Sequence, residues 1–149
     1  MRQIGVIGAG EANDELRRLA FDVGAEIARC GAILVCGGLG GVMEASAQGA
    51  LEQGGRTVGI LPGPDRDAAN PFIEVAVPTD LGHARNVVVV RSSDALIAVG
   101  GSYGTLSEIA FALKMGKPVV GLRTWEIPGV HPVHDAKEAI QKLLTLLQG

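Results

Sequence analysis

No block of lysine and arginine interrupts this chain of 149 residues, and 13 basic against 16 acidic side chains leave a formal net charge of −3. Binding to nucleic acid by phosphate neutralisation needs a basic face, so no nucleic-acid partner is expected. No apolar stretch reaches the roughly 20 residues that cross a bilayer. The opening run Ile4-Gly5-Val6-Ile7 is too short for the apolar centre of an export leader. A cytoplasmic protein with no membrane partner is the expectation. Cysteine is scarce as well: Cys30 and Cys36 form no C-x-x-C pair. They flank an apolar run and read as reduced thiols that pack as small apolar groups.

Several chemical signatures are missing. His83, His131 and His134 do not fall at metal-ligand spacing, and the His131-Pro132-Val133-His134 stretch is too closely spaced for a zinc helix motif; no metal site is expected, and the three read as surface or helix-end residues. No Gly-Lys-Ser/Thr follows a glycine run, which excludes a Walker loop. A serine triad is not expected, although Gly100-Gly101-Ser102-Tyr103-Gly104 has the letters of a G-x-S-x-G elbow.

Glycine, by contrast, is abundant. The 22 glycines cluster at segment ends, where turns need them. Between them, short β-branched runs alternate with helical patterns. Strands are predicted at 3–7, 32–36, 56–61, 73–77, 95–99 and 118–122. Helices are predicted at 14–29, 41–53, 81–92, 106–115 and 136–147, with Asn13, Asp80 and Asp135 as caps and Gly31 as a stop. Alternation of this kind implies one α/β domain over 1–149. It should be a Rossmann-like, doubly wound, mostly parallel sheet of about six strands with helices on both faces. The 62–71 stretch is the one long loop.

Three glycine turns follow strands and open onto helices, on the sheet edge where such folds bind ligands. The first, Gly8-Ala9-Gly10-Glu11-Ala12-Asn13, is an incomplete dinucleotide fingerprint, and no acid closes the second strand to hold a ribose. Standard NAD binding is therefore disfavoured. The second places Gly37, Gly38, Gly40 and Gly41 within five positions, more than a turn requires. The third runs Gly100-Gly101-Ser102-Tyr103-Gly104-Thr105. Bare turns let backbone N–H groups approach a phosphate at a helix N-terminus. Together the three point to a crevice for a small phosphorylated, nucleotide-like ligand. Thr105 and Glu108 match a capping box; equally, Thr105 could bind phosphate while Glu108 faces a reacting centre. Arg85, next to Asn86 and the Val87–Val90 run, suits a phosphate or carboxylate, or an ion pair with Glu108.

Gly37-Gly38-Leu39-Gly40-Gly41-Val42-Met43, Gly59-Ile60-Leu61-Pro62, Arg85-Asn86 and Gly100 to Glu108, in that order, resemble the LOG-like superfamily. Its best-known members are the "lonely guy" phosphoribohydrolases, often mislabelled as lysine decarboxylases. Within it the chain looks closest to the short bacterial branch that includes molybdenum cofactor carrier proteins. The hydrolases typically carry P-G-G-x-G-T-x-x-E after an Arg-Lys pair; here Val99 stands for the proline and Asn86 for the lysine. The resemblance implies Arg85 and Glu108 as the catalytic pair, with Arg85 keeping Glu108 ionised. It implies phosphate contact from Gly8, Gly10, Gly37, Gly38, Gly40, Gly41, Asn86, Gly100, Gly101, Ser102, Gly104 and Thr105. The implied reaction is hydrolysis of the N-glycosidic bond of a nucleoside 5′-monophosphate, with no cofactor required. The alternative it implies is a non-catalytic carrier with molybdenum cofactor as bound cargo. It also implies a homodimer or larger homo-oligomer, and it does not suggest a pyridoxal phosphate lysine.

Overall fold

Successive side chains of a strand leave opposite faces of a sheet, and this chain makes both sets apolar. The computed structural model describes residues 1–148. Seven strands form one sheet: β1 (Gln3–Gly8), β2 (Ile33–Cys36), β3 (Arg56–Leu61), β4 (Val75–Pro78), β5 (Ala95–Val99), β6 (Val119–Leu122) and β7 (Val130–Pro132). Their order is β4-β3-β2-β1-β5-β6-β7, and every pairing is parallel. Five helices cover it: α1 (Asp14–Arg29), α2 (Val42–Glu52), α3 (Arg85–Arg91), α4 (Tyr103–Lys114) and α5 (Ala136–Gln148).

Ile4, Val6, Leu34, Ile97 and Val99 pack with α1, α2 and α5 on one face. Ile7, Val35, Leu96 and Ala98 pack with α3 and α4 on the other. Burial on both faces removes the polar alternation of a half-exposed strand, as parallel sheets require. Helix α1 starts where Asn13 Oδ1 accepts from the Leu16 N–H at 2.9 Å and stops before Gly31, whose φ is +79°. The Asp135 carboxylate accepts from the Glu138 N–H at 2.8 Å at the start of α5. Helices α1 and α2 approach closely because Gly24 and Gly49 carry no side chain: a Cβ on Gly24 would lie 1.8 Å from the Ser46 carbonyl oxygen.

Several expectations are corrected. The sheet has seven strands, not six. The missed β7 is three residues long and ends in Pro132, so it carries no period-2 signal, and proline is tolerated there because the strand is at an edge. Strand β4 begins at Val75, two residues later than predicted. The helix predicted over 81–92 is a 3₁₀ turn at Gly82–Ala84 followed by α3. Asp80 is not its cap; it sits in left-handed backbone at φ 56°. Cys36 is buried as expected, but Cys30 is exposed at the end of α1. The long loop does not float: Asn70 donates from its backbone N–H to Gly38 O at 2.9 Å and from Nδ2 to Leu39 O at 2.8 Å. It is stitched to the second glycine turn. No helix among the described residues is long and apolar enough to cross a membrane.

The α1–α2 contact predicts a specific cost. Gly24→Ala should lower the free energy of unfolding by about 1–3 kcal/mol, the usual penalty for overpacking. Urea denaturation checks this, with the midpoint falling and the slope unchanged.

Candidate functional site

The chain runs outward from β1 through β2 and β3 to β4, then returns to place β5 beside β1. Helix α1 follows β1 on one face and α4 follows β5 on the other. Such a reversal opens a crevice at the carboxyl ends of the two central strands. A cavity of about 160 Å³ occupies that place. Of the residues singled out in the sequence, Gly8, Gly10, Gly37, Ser102, Gly104 and Thr105 line it, as do Arg85, Asn86 and Glu108. Gly38, Gly40, Gly41, Gly100 and Gly101 do not. Four of these five, all but Gly40, adopt positive φ and shape the turns that carry the lining residues. His83 on the rim and Met43 also line the cavity. The sequence reads His83 as a surface or helix-end residue; its position two residues before Arg85 is the signal that could place it at the site.

Arg85 lies flat over the second glycine turn. Its Nη2 donates to Gly37 O at 3.2 Å, and its Nη1 donates to Asn86 Oδ1. A Cβ on Gly37 would fall 2.6 Å from Nη2, so a side chain there would displace the guanidinium from this position. Nε is buried without a partner among the described residues. Asn86 continues the chain of contacts: Nδ2 donates to Ser107 Oγ at 3.1 Å, and Ser107 Oγ donates to Gly104 O at 2.6 Å. Arg85 is thereby tied to the first turn of α4.

Glu108 differs from both expectations. Helix α4 begins at Tyr103 with Ser102 as its N-cap, so Thr105 lies inside the helix and the pair forms no capping box. Nor does Glu108 form an ion pair with Arg85 among the described residues; the guanidinium is held by Gly37 and Asn86 instead. The Glu108 side chain is only 7% exposed. Burial pushes its carboxyl up to about 8, against the weaker lowering pull of Arg85. Desolvation wins over the neighbouring charge, so the group is mainly protonated at neutral pH. This overturns the expectation that Arg85 keeps it ionised. The cavity then holds one fixed positive charge, on Arg85, and a neutral carboxylic acid able to donate a hydrogen bond. Cys36 beneath the second turn is pushed up to about 12 by burial and is an inert thiol.

Two glycines of the lining have no structural reason to be glycine. A Cβ on Gly10 or on Gly104 would meet nothing within 4 Å, and neither residue has positive φ. Both leave bare main chain facing the cavity.

The chain matches the model of the SLOG cluster4 family over residues 1–146. It belongs to that family. The molybdenum cofactor binding protein of Rippkaea orientalis shares the fold at a TM-score of 0.93 and 36% identity, over 98% of this chain and 97% of that one. The molybdenum cofactor carrier protein of Chlamydomonas reinhardtii does so at 0.91 and 37%, over 99% of each. The cytokinin riboside 5′-monophosphate phosphoribohydrolase of Mycobacterium tuberculosis is 37% identical over 127 residues, 78% of this chain and 67% of that protein.

The raised Glu108 gives a stability prediction for this SLOG cluster4 chain. Between its ordinary 4.5 and about 8 the folded state binds the extra proton. Its contribution is full below 4.5 and is lost as pH rises through about 8. Glu108→Gln stays neutral throughout. The Tm of Glu108→Gln should therefore gain on that of the wild type as pH rises from about 5 to about 9. A constant difference across thermal melts in that range would contradict the assignment.

Proposed function

We propose that this chain binds the phosphate of a phosphorylated pterin, with molybdenum cofactor as its cargo, and holds it without turnover. The observation that carries this reading is the bare main chain at Gly10 and Gly104, in a cavity whose fixed charge is Arg85. A phosphate approaching those turns meets backbone N–H groups at the start of α4. A protonated Glu108 adds a donor and no repulsion. The cofactor brings its own dithiolene, so it asks for no metal ligand from the protein. Full-length likeness to proteins described as molybdenum cofactor binding and carrier proteins supports the choice of cargo. Self-association as a homodimer or larger assembly is part of the same proposal.

One specific observation keeps a second reading, phosphoribohydrolase activity: Arg85 and Glu108 share the cavity. In that reaction the N-glycosidic bond of a nucleoside 5′-monophosphate breaks. Water adds its oxygen to the ribose carbon, and the base leaves with a proton. Glu108 in its acid form would supply that proton to the departing base, and Arg85 would hold the phosphate. Activity would then fall as pH rises through about 8.

Protein purified from cells that make molybdenum cofactor should release a fluorescent pterin on oxidation. Absence of pterin, with no protection of added cofactor, would reject carriage. Release of ribose 5-phosphate from AMP or N6-substituted AMP, abolished in Glu108→Gln, would select the hydrolase instead. Gly104→Ala separates fold from function. Ala is the better residue inside a helix by about 0.5–1 kcal/mol, so the variant should melt higher. It should also bind the cofactor at least about 10-fold more weakly, a loss of about 1.4 kcal/mol, because the new methyl group stands on the cradle. Equal binding by the variant would remove the reading's support.

A further inference from the structure

A cavity of about 160 Å³ is smaller than the roughly 300–1,000 Å³ of sites that enclose a whole small ligand. It has room for a phosphate and the carbons next to it. A ring system attached to them must lie elsewhere. Beside the third glycine turn, the loop after β6 encloses a cavity of about 540 Å³ walled by Gly121, Thr124, Trp125, Ile127 and Val130. Two hydrogen bonds fasten this loop to the turn. Thr124 Oγ1 donates to Gly100 O at 2.6 Å, and Trp125 Nε1 donates to Ser102 O at 3.0 Å. Ser102 also lines the phosphate cavity, so one short turn separates the two spaces.

The loop is built at a cost. Arg123 holds left-handed backbone at φ 54°, an unfavourable state for a residue with a Cβ. Its guanidinium pairs with Glu15 at 2.6 Å. Composition points the same way. The chain has one Trp and one Tyr, and its largest fully buried side chains are aliphatic. Those two rings meet each other, with centroids 6.1 Å apart. Tyr103 is 80% exposed and Trp125 is part-buried. One edge of Trp125 packs against the core beside Ile127 and Val130, whereas Tyr103 stands outside it. The Trp125 ring beside aliphatic Ile127 and Val130 suits a flat heterocycle, which stacks on it.

We propose that the cavity behind Trp125 is the ring subsite: a planar bicyclic nitrogen heterocycle of the pterin or purine type seats there while its phosphate rests in the glycine-lined cavity. This rests on the phosphate site proposed above. The ligand crosses the Ser102–Tyr103 turn, and the two subsites together give the volume that a whole ligand needs.

GMP and ribose 5-phosphate are the probes, with and without a ring. Guanine does not absorb where indole emits, so quenching of the sole tryptophan reports contact. Wild-type protein should bind both, with GMP tighter and with indole emission quenched by GMP alone. Trp125→Leu should lower GMP affinity by roughly 5- to 150-fold, the range for loss of one base–aromatic stack, and leave ribose 5-phosphate affinity unchanged. Trp125→Phe, which keeps a stacking face and loses the indole N–H, should recover most of the loss. GMP binding with unchanged emission, and equal affinity in Trp125→Leu, would overturn the ring subsite while the phosphate site stands. A parallel loss of both ligands in Trp125→Leu would also overturn it, showing that the indole only secures the Ser102 turn. Failure of both ligands to bind the wild type would overturn the phosphate site and this proposal together.

Discussion

Strands are added outward on one side from β1 to β4 and on the other side from β5 to β7, and the helices after neighbouring β1 and β5 go to opposite faces of the sheet. Two parallel strands that end side by side then have no helix closing over both, and the gap between their loops is the crevice. The loop after β2 runs along its wall, and α3 lays Arg85 across it. Every candidate group depends on that arrangement. The turn after β1 supplies Gly10, the turn after β5 supplies Ser102, and the first turn of α4 supplies Gly104 and Thr105. None of these alone would make an enclosed space.

The electrostatics follow from how deeply each group sits. Arg85 keeps its charge because a guanidinium does not deprotonate in proteins, and it gains partners in Gly37 O and Asn86 Oδ1. Glu108 has no such partners among the described residues, and its burial outweighs the attraction of Arg85. A pair that looks self-neutralising in sequence is therefore a cation beside a neutral acid. A bound phosphate would compensate the cation and accept from the acid. Asn86 matters in the same balance. It spends one end on Arg85 and the other on Ser107, fixing the cation relative to the turn. A lysine there would add a second charge and lose the acceptor.

Much of the architecture was legible in the residues. The limits of α1, β3 and β5 follow from caps and β-branched runs, and Asn13 caps α1 as its position implies. Elements with weak local signals were harder. Strand β7 is short and holds a proline, and α4 starts three residues early because glycine and tyrosine give no starting signal. That shift moved Thr105 from cap to helix interior. Spacing brought Arg85, Glu108 and the glycines to one edge, but it could not separate the glycines that fold the turns from those that face the cavity. Gly38 and Gly104 look alike in sequence. Only the surroundings distinguish them: Gly38 has left-handed backbone, while Gly104 has open space where a Cβ would go. The state of Glu108 was out of reach for the same reason, because desolvation is a property of the packed molecule.

Amide chemical shifts measured by NMR during titration with inorganic pyrophosphate test the central claim most directly, since that claim concerns main-chain N–H groups at the β1–β5 reversal. Saturable shifts concentrated at Gly10, Ser102, Gly104 and Thr105, with glycines such as Gly54 and Gly116 on distant turns unmoved, are the predicted result. Shifts spread evenly over the surface, or saturating at another helix start such as α5 while Gly10 and Gly104 stay still, would contradict it.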